Sequence, residues 1–424
     1  MTESPMTETM MLEIDSIAVG GDGVARQDGL VVFVPRTAPG DRVVARIERG
    51  KRFARGIAER VEQPSPSRTD PSCAHYLIDH CGGCQLQHMT LDAQHEAKRG
   101  IIRDSLRRIG KRVVDAPPLR AGTAPWRYRH RLSLAIRRRA DGSWFAGMHA
   151  WHDPSTVFDL RDCLITDERV VALWREVLAA ADALPEAAVL RGTVRLVGSR
   201  GAFVLEGGAA WPRADQFAAR LSSFDQFWWI PAGGRRQRIG PQRGDAGPHA
   251  SFSQVNPSVA EQMEVFVAER VMAHAPTHVI DAYAGTGDRG ALLQTHQVRV
   301  TAVELDEEAA AYAATRLQHP SRSVTAKVED VIAALLPADL VVLNPPRAGV
   351  DERVTAAIEA ASPPPACVIY VSCDPATLAR DIARMPSWDI RSVTAFDMFP
   401  QTAHVETVVE LVPRERAASP GTVA

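Results

Sequence analysis

The chain has 424 residues, of which 45% are hydrophobic and 24% are charged, and its formal net charge is −2. This is the composition of an ordinary soluble protein of two or three domains, and no apolar run reaches the ~18 residues that a membrane helix needs. Six cysteines are too few for a disulfide scaffold in so long a chain, which favours metal-binding or catalytic roles. The polar start, MTESPMTE, is unlike a signal peptide, so we expect a cytoplasmic protein.

Charge is unevenly distributed along the chain. Between Gln94 and Arg139 there are fourteen Lys and Arg against three Asp and Glu, so this segment carries +11 and the remainder −13. Such a block is typical of a polyanion-binding surface or of a solvated basic helix face. Trp126, Tyr128 and His130 alternate with arginines within it, which favours nucleic acid because flat rings stack on bases.

The first predicted domain, residues 1–66, is a small β-barrel. Apolar and polar residues alternate from position 9 to about 62, and Gly20-Gly-Asp-Gly23, Asp28-Gly29 and Pro39-Gly40-Asp41 mark turns. The pattern resembles the TRAM domain, an RNA-binding, OB-like barrel found in many RNA-modifying enzymes. The Pro/Ser-rich stretch that follows, Pro64–Arg68, is predicted to be a linker.

The second predicted domain, residues 67–250, contains a cluster of cysteines. Cys73, Cys81 and Cys84 lie close together in sequence, and Cys163 is the one candidate for a fourth ligand outside the C-terminal half. Thiolates at this spacing suit either a four-iron cluster or a tetrahedral zinc ion. A disulfide is a poorer interpretation in a cytosolic chain.

The rest of this domain is predicted to be rich in β-structure. Alternating segments at 130–139 and 191–208 predict strands, and a helix is predicted over 168–181 between them. The stretch 231–249 is rich in Gly, Pro and Arg, which predicts a flexible loop.

The third predicted domain, residues 251–424, alternates strands and helices. A helix is predicted after Asn256-Pro257, and the strand–helix steps that follow are typical of a doubly wound α/β fold with a mostly parallel sheet. The last two strands, near 390–396 and 405–412, are joined by a connection too short for a helical crossover. We therefore expect them to form an antiparallel pair at the edge of the sheet.

A glycine loop and a later acid predict a cofactor site at the carboxyl ends of these strands. The loop DAYAGTGD, Asp281–Asp288, follows the first strand, and its glycines allow a tight turn and close approach to a ligand. Glu304 ends the second strand, 23 residues after Asp281, where an acid can hold a ribose diol. Both features fit NAD or S-adenosylmethionine. The absence of a third glycine at a helix start and the antiparallel edge favour S-adenosylmethionine.

Three further motifs place reactive groups at the same edge. YVSCDPATLARD, Tyr370–Asp381, brings Cys373 to the end of a buried strand and the start of a helix, where a thiol can have a lowered pKa. Cys373 is thus a candidate nucleophile or a structural cysteine. Asn344 begins NPPRAG after the fourth strand, and the prolines leave its side chain free to face the site. Glu406 is either a general base or an exposed strand carboxylate.

In chain order, DAYAGTGD, LNPPRAGVD, YVSCDPATLARD and DMFPQTAHVE resemble the signatures of the RNA uracil-5-methyltransferases. The cysteine set and the N-terminal barrel resemble the subgroup with a four-iron cluster. The resemblance implies a Rossmann-like class I methyltransferase domain in which Cys373 is the nucleophile and Glu406 the base. It also implies two cofactors, S-adenosylmethionine and a [4Fe-4S] cluster. The implied donor-site residues are Gln254, Tyr283, Asp288, Glu304, Asp330 and Asn344, and the implied cluster ligands are Cys73, Cys81, Cys84 and Cys163.

The resemblance further implies a covalent mechanism on RNA. Attack of the Cys373 thiolate on carbon 6 of uracil would make carbon 5 nucleophilic, and Glu406 would remove the proton from carbon 5 after methyl transfer. The barrel and the cysteines resemble the 23S rRNA enzymes more than the tRNA enzymes, so 23S rRNA is the preferred substrate and tRNA the alternative. No membrane association or obligate protein partner is expected.

Two departures from the family pattern support a second hypothesis. Asn344 stands where the family usually has Asp, and Arg289-Gly290 replaces an aromatic residue after the glycine loop. These departures suggest a non-catalytic, RNA-binding iron–sulfur protein. The presence of both Cys373 and Glu406 argues against it.

Overall fold

The computed structural model describes residues 7–241, 243, 247 and 254–414. They divide into two compact units, neither of which is one continuous segment. The first comprises residues up to Lys98, Gly122–Ala260 and Met398–His404, and the second comprises Arg99–Ala121, Glu261–Asp397 and the residues from Val405. The division into domains 1–66, 67–250 and 251–424 stays a prediction, because these units follow contacts rather than chain order. Within the described part of the chain, no helix has the length and apolar character required to cross a membrane.

In the first unit, the N-terminal segment forms one six-stranded sheet. Its strands are β1 Thr7–Glu13, β2 Ser16–Ile17, β3 Gly23–Gln27, β4 Leu30–Val34, β5 Arg42–Arg49 and β6 Ala54–Gln63. They lie in the order β1-β5-β6-β4-β3-β2, and every pair is antiparallel except β4 with β6. The predicted closed barrel is not confirmed: among the described residues no ladder joins the edge strands β1 and β2. With only two residues, β2 is too short to close the sheet along its length.

The first unit also contains a seven-stranded sheet covered by helices. Its order is β10-β9-β8-β11-β12-β13-β14 once the elements after β6 are numbered along the chain. Those elements are α1 Ala74–Leu77, α2 Leu91–Arg108, β7 Leu119–Ala121, β8 Arg131–Arg138, β9 Trp144–His149, β10 Val157–Asp159, α3 Glu168–Ala179, β11 Leu190–Val197, β12 Arg200–Glu206, α4 Ala214–Arg220, β13 Phe224–Ile230 and β14 Gln237–Ile239. Trp174 of α3 and Phe217 of α4 belong to its core.

The predicted strands and helix of this sheet are confirmed as β8, the β11–β12 hairpin and α3. The predicted loop over 231–249 is wrong in part, because β14 lies within it. Gln237–Ile239 pairs with Phe227–Trp229 of β13, and these backbone hydrogen bonds have no signature in the side-chain pattern. Residues 242, 244–246, 248 and 249 of the predicted loop lie outside the described residues.

The second unit is an eight-stranded α/β sheet. Its order is β17-β16-β15-β18-β19-β21-β20-β7, with β17 to β19 parallel and β21 antiparallel to both of its neighbours. Its strands beyond β7 are β15 His278–Ala282, β16 Arg299–Glu304, β17 Arg322–Thr325, β18 Leu340–Leu343, β19 Cys367–Ser372, β20 Trp388–Asp397 and β21 Glu406–Pro413. The remaining helices of the chain are α5 Pro257–Met272, α6 Asp288–Gln294, α7 Glu307–Arg316, α8 Val328–Leu335, α9 Glu352–Ala360 and α10 Pro375–Ala383.

The predicted antiparallel pair is confirmed as β20 and β21, but its position needs correction. β21 lies inside the sheet, and the edge is β7, which pairs parallel to β20 through Leu119–Ala121. Sequence reasoning missed β7 because a three-residue strand lacks a periodic pattern. Every residue of β18 and β19 is buried, as expected for strands covered by helices on both faces.

Candidate active site

The end of β19 and the start of β21 bring Cys373 and Glu406 together. Ser372, the last residue of β19, lies opposite Thr407, so Cys373 and Glu406 each lie one step beyond this pair at the same end of the ladder. Asp374 then caps α10 by accepting hydrogen bonds from two amides of its first turn, both 2.9 Å. The cap stops the strand and fixes Cys373 at the strand–helix junction.

Both side chains have perturbed pKa values. Glu406 is only 3% exposed, and burial raises its pKa to about 7. Burial also raises the pKa of Cys373 to about 11, and the neighbouring Glu406 carboxylate adds to this effect. Desolvation and a nearby negative charge therefore outweigh the decrease in the pKa of Cys373 that was expected at a helix N-terminus. A carboxylate with a pKa near 7 beside a protonated thiol is suited to proton transfer near neutral pH.

Arg347, to which sequence reasoning gave no role, is the cation that acts on both groups. Its guanidinium interacts with the Cys373 sulfur and opposes the rise in the pKa of both Cys373 and Glu406. Arg347 lies in the loop after β18, in the NPPRAG motif. Its place in this motif, just after a strand that ends at the site, could have indicated a role. A cation there can stabilise an anion that forms during a reaction.

Asp381 anchors the loop that carries Arg347. It is fully buried, and its Oδ2 atom accepts hydrogen bonds from the Val350 amide at 3.0 Å and the Tyr370 hydroxyl at 2.8 Å. Gly349 has a φ of +78°, and a Cβ there would collide with the Asp381 carboxylate. Two ends of the stretch Tyr370–Asp381 thus hold the loop, while its centre supplies Cys373.

The glycine loop lies at the adjacent strand ends, β15 and β16. Glu304 accepts hydrogen bonds from the Gly285 amide at 2.9 Å and the Asp306 amide at 2.8 Å, so its carboxylate shapes the loop. Burial alone would raise the pKa of Asp288. Hydrogen bonds from Thr286 and Arg316 outweigh this effect and lower the pKa below its ordinary value. Neighbours at the loop therefore hold Asp288 as a carboxylate, while Glu304 fixes the loop by accepting from two backbone amides.

The other predicted donor-site residues are placed less uniformly. Tyr283 has a φ of 63°, and burial with nearby carboxylates, Glu329 first among them, raises its pKa. Asp330 is exposed and forms an ion pair of 2.9 Å with Arg353, so Glu329 rather than Asp330 is the α8 acid that acts on Tyr283. The backbone N–H of Asn344 donates to the Ala282 carbonyl at 3.2 Å, beside the glycine loop. Gln254 belongs to the first unit.

The arginine that replaces the aromatic residue after the glycine loop has a defined structural role. Arg289 is 5% exposed and donates to Glu264 at 2.9 and 3.0 Å and to Asp281 at 2.8 Å. Asp281 is fully buried, and burial raises its pKa. Arg289 therefore neutralises two acids behind the glycine loop, which a neutral aromatic side chain would leave unpaired.

The four cysteines of the first unit are close enough to influence one another. Cys73 and Cys84 belong to one buried cluster, with Cys163 packed against it. Burial raises the pKa of Cys81 to about 11 and raises those of Cys84 and Cys163, and each thiolate would also repel the next. Buried thiolates at this density need a cation, which fits a metal centre.

Donors directed at the sulfurs provide a test of that fit. The Gly83 amide donates to Cys81 at 3.4 Å, the Gln87 side chain hydrogen-bonds to Cys84, and the Ile165 amide hydrogen-bonds to Cys163. The Arg36 guanidinium donates to the Cys81 carbonyl at 3.2 Å rather than to the sulfur, and its charge opposes the rise in the pKa of the Cys81 thiol. Such donors stabilise negative charge on metal-bound sulfur, so the residues present fit a thiolate-ligated group.

A third cluster, in the second unit, has no counterpart in the sequence reasoning. His274 Nε2 and Glu410 Oε1 are 2.7 Å apart, and these atoms and the Cys367 sulfur all lie within 4.8 Å of one another. Glu410 also accepts from Ser392 at 3.0 Å and has Arg391 at 3.7 Å. The carboxylate is thus already compensated by donors from its own sheet.

Comparisons with known proteins identify the family of the chain. Residues 321–414 match the tRNA (Uracil-5-)-methyltransferase family, and residues 8–57 match the TRAM domain. The chain is 32% identical to the 23S rRNA (uracil(1939)-C(5))-methyltransferase RlmD of Halomonas elongata, across 94% of this chain and 89% of that protein. It belongs to the RNA uracil-5-methyltransferase family. The members of this family are enzymes. The N-terminal sheet of the chain is a TRAM domain.

Further similarities extend over nearly the whole chain. An uncharacterized RNA methyltransferase of Listeria monocytogenes is 30% identical across 95% of this chain and 97% of its own. The crystal structure of the Pyrococcus abyssi tRNA (uracil-54, C5)-methyltransferase in complex with S-adenosyl-L-homocysteine superposes with a TM-score of 0.70 at 24% identity. It covers 95% of this chain and 99% of that chain, which shows that the fold is shared.

Proposed function

We propose that this member of the family methylates carbon 5 of a specific uridine in RNA through a covalent intermediate on Cys373. The observation that carries the proposal is the meeting of Cys373, Glu406 and Arg347 at one strand end. A thiol, a base with a pKa of about 7 and a cation are the three groups that this chemistry requires.

Each of the three side chains has a defined part in the reaction. Cys373 Sγ forms a bond to carbon 6 of the uracil, which raises electron density at carbon 5. Arg347 stabilises the thiolate that attacks and is re-formed at the end, because it opposes the effect of burial on that thiol. S-adenosylmethionine, when bound, would supply the electrophilic methyl group to which carbon 5 forms its new bond, and its sulfonium would leave as a neutral thioether. Glu406 then takes the proton from carbon 5, and the carbon–sulfur bond breaks to release the product and the thiolate.

The donor site is proposed at the glycine loop. Glu304, Asp288, Tyr283 and Asn344 surround the ends of β15, β16 and β18, where ligands of open α/β sheets bind. Gln254 and Asp330 stay predictions from the family resemblance. For Asp330, the ion pair with Arg353 makes Glu329 the better-placed acid.

The proposed RNA is 23S rRNA, with tRNA as the alternative. Support for 23S rRNA comes from the RlmD relatives, including one from Dechloromonas aromatica that is 31% identical across 93% of this chain. Support for tRNA comes from the shared fold with the Pyrococcus enzyme. A cytoplasmic location, where both RNAs occur, is proposed with it. The non-catalytic hypothesis is not retained, because the chain belongs to a family of enzymes.

We also propose that Cys73, Cys81, Cys84 and Cys163 hold a [4Fe-4S] cluster. Four cysteines provide one thiolate for each of the four irons of such a cluster. The cysteines act on one another's pKa values, so they form one group, and the resemblance of the cysteine set to the iron–sulfur subgroup favours iron over tetrahedral zinc.

The decisive experiment uses anaerobically purified protein, labelled S-adenosylmethionine and unmodified 23S rRNA and total tRNA in separate reactions. Digestion and mass spectrometry should find 5-methyluridine in one 23S rRNA fragment. Label confined to tRNA would keep the chemistry and change the substrate. No label in either RNA, with the iron content intact, would overturn the proposed function.

A further inference from the structure

A loop of the first unit, Met398–His404, connects β20 to β21 and ends two residues before Glu406. Its first four carbonyl groups, those of residues 398–401, all accept hydrogen bonds from elsewhere in the first unit. The donors are Asn256 Nδ2 to Met398 at 3.4 Å, Lys98 Nζ to Phe399 at 3.0 Å, the Tyr128 hydroxyl to Pro400 at 3.0 Å and the Leu86 amide to Gln401 at 3.0 Å. A loop with four consecutive carbonyls bonded in this way is held in one conformation.

A pair of glutamines forms the centre of this arrangement. Gln94 and Gln401 are 1% and 3% exposed. The Gln94 Oε1 atom accepts a hydrogen bond from the backbone amide of Gln401 at 2.9 Å. The Gln94 Nε2 atom donates to the side-chain Oε1 of Gln401 at 3.0 Å. Gln401 has a backbone φ of 71°, which is unfavourable for any residue other than glycine. The Gln94 contacts therefore keep Gln401 in a conformation that it would not adopt alone.

Two of the four donors adjoin the cysteines. Leu86 lies two residues after Cys84 and donates its amide to the loop, while Gln87 contacts the Cys84 sulfur from the next position. Tyr128 is in the same buried cluster as Cys73 and Cys84, and its hydroxyl reaches Pro400. The shell around the sulfurs and the loop before the base thus share residues.

We propose that the four-cysteine centre and its surrounding residues position the loop Met398–His404, and so the backbone at Glu406, for the reaction. The inference rests on the proposed function for the role of Glu406. A buried base has to meet carbon 5 within hydrogen-bonding distance, so a loop that varies in conformation directly before it lowers the rate. Gln94, Tyr128 and Leu86 are positioning residues, and the cysteines fix Leu86 and Tyr128.

Hydrogen–deuterium exchange followed by mass spectrometry tests the positioning directly, without any substrate. Gln94→Leu removes both contacts to Gln401, and Cys84→Ser weakens the centre itself in anaerobically prepared protein. Each variant should raise exchange at least tenfold in the peptide that spans residues 398–406. Gln216→Leu is the matched control, because Gln216 is exposed on α4 and accepts from Arg213. Unchanged exchange in Cys84→Ser would overturn the proposal.

Kinetics separate positioning from binding. Gln94→Leu and Tyr128→Phe should lower kcat about tenfold, with the affinity for S-adenosylmethionine and the KM for RNA unchanged. Gln94→Glu keeps the acceptor for the Gln401 amide and should recover part of the loss. Faster exchange with wild-type kcat would overturn the positioning role and leave the proposed function intact. If the wild-type protein methylated neither RNA, the proposed function would fail and the exchange result alone would decide the role of the loop.

Discussion

Cys373 and Cys81 are both half-buried thiols, and they differ in what surrounds them. Burial raises the pKa of Cys373 and of Cys81 to about 11 in each case. Beside Cys373 are a carboxylate and a guanidinium, Glu406 and Arg347, whereas the groups that act on Cys81 are a backbone amide, other cysteines and the Arg36 guanidinium. A thiol with a base and a cation can exchange its proton during a reaction. Thiols that lie close to one another and to amide donors are suited to a different role. They lose their protons when a metal centre is assembled and then stay bound to the metal.

The largest expected effect tests the Cys373 side of this comparison. Cys373→Ala removes the nucleophile, so methylation should fall at least about a thousandfold while iron content stays at the wild-type level. Cys367→Ala is the matched control, since Cys367 is a fully buried cysteine on the same strand that lies away from Glu406. The assay measures labelled 5-methyluridine. A Cys373→Ala protein with wild-type activity would refute the covalent mechanism.

The next effect tests the other side. Cys163→Ser removes the cysteine that lies farthest in sequence from the other three, so the protein should lose most of its iron. Unfolding free energy should fall by about 3 kcal/mol, which corresponds to roughly 3 °C in Tm for a chain of 424 residues. Elemental analysis and calorimetry measure the two results. Full iron content in this variant would exclude Cys163 as a ligand, and zinc in place of iron in the wild type would correct the metal.

Arg347 is the cation that acts on Cys373 and Glu406. Arg347→Met removes the cation that opposes the rise in the pKa of Cys373, so we expect kcat to fall about a hundredfold. Arg353→Met is the matched control, because Arg353 is half exposed and pairs with Asp330 and Asp351. Metal content should not change in either variant. Equal activity of the two variants would show that Arg347 has no part in the chemistry.

The smallest effect is the pH dependence of the wild-type enzyme. Glu406 acts as a base only when ionised, and its pKa is raised to about 7, so kcat should rise with pH through that value. Below the pKa, each pH unit should lower the rate about tenfold. In Arg347→Met this limb should move to higher pH, because the guanidinium lowers the pKa of Glu406. A flat profile from pH 6 to 8 would contradict the assignment of the base.

Particular elements show what the sequence could predict. The motif order indicated Cys373, Glu406 and the glycine loop correctly as neighbours of strand ends, because a strand followed by Asp-Pro or a glycine turn has a local signature. The spacing of the cysteines predicted one group, but it could not assign a role to Gln94, and the one signal for Arg347 was its place in a motif after a strand. The roles of these two residues depend on contacts between segments far apart in the chain.

Local patterns along the chain were enough to establish the family, the alternation of strands and helices in the second unit, and the residue types that carry the chemistry. Three features required the folded chain: β7 forms the edge of the sheet, Arg289 neutralises Asp281 and Glu264, and burial raises rather than lowers the pKa of Cys373. The reason is physical: motifs and periodicity are local along the chain. Desolvation, ion pairing and edge-strand pairing depend on which distant segments come into contact.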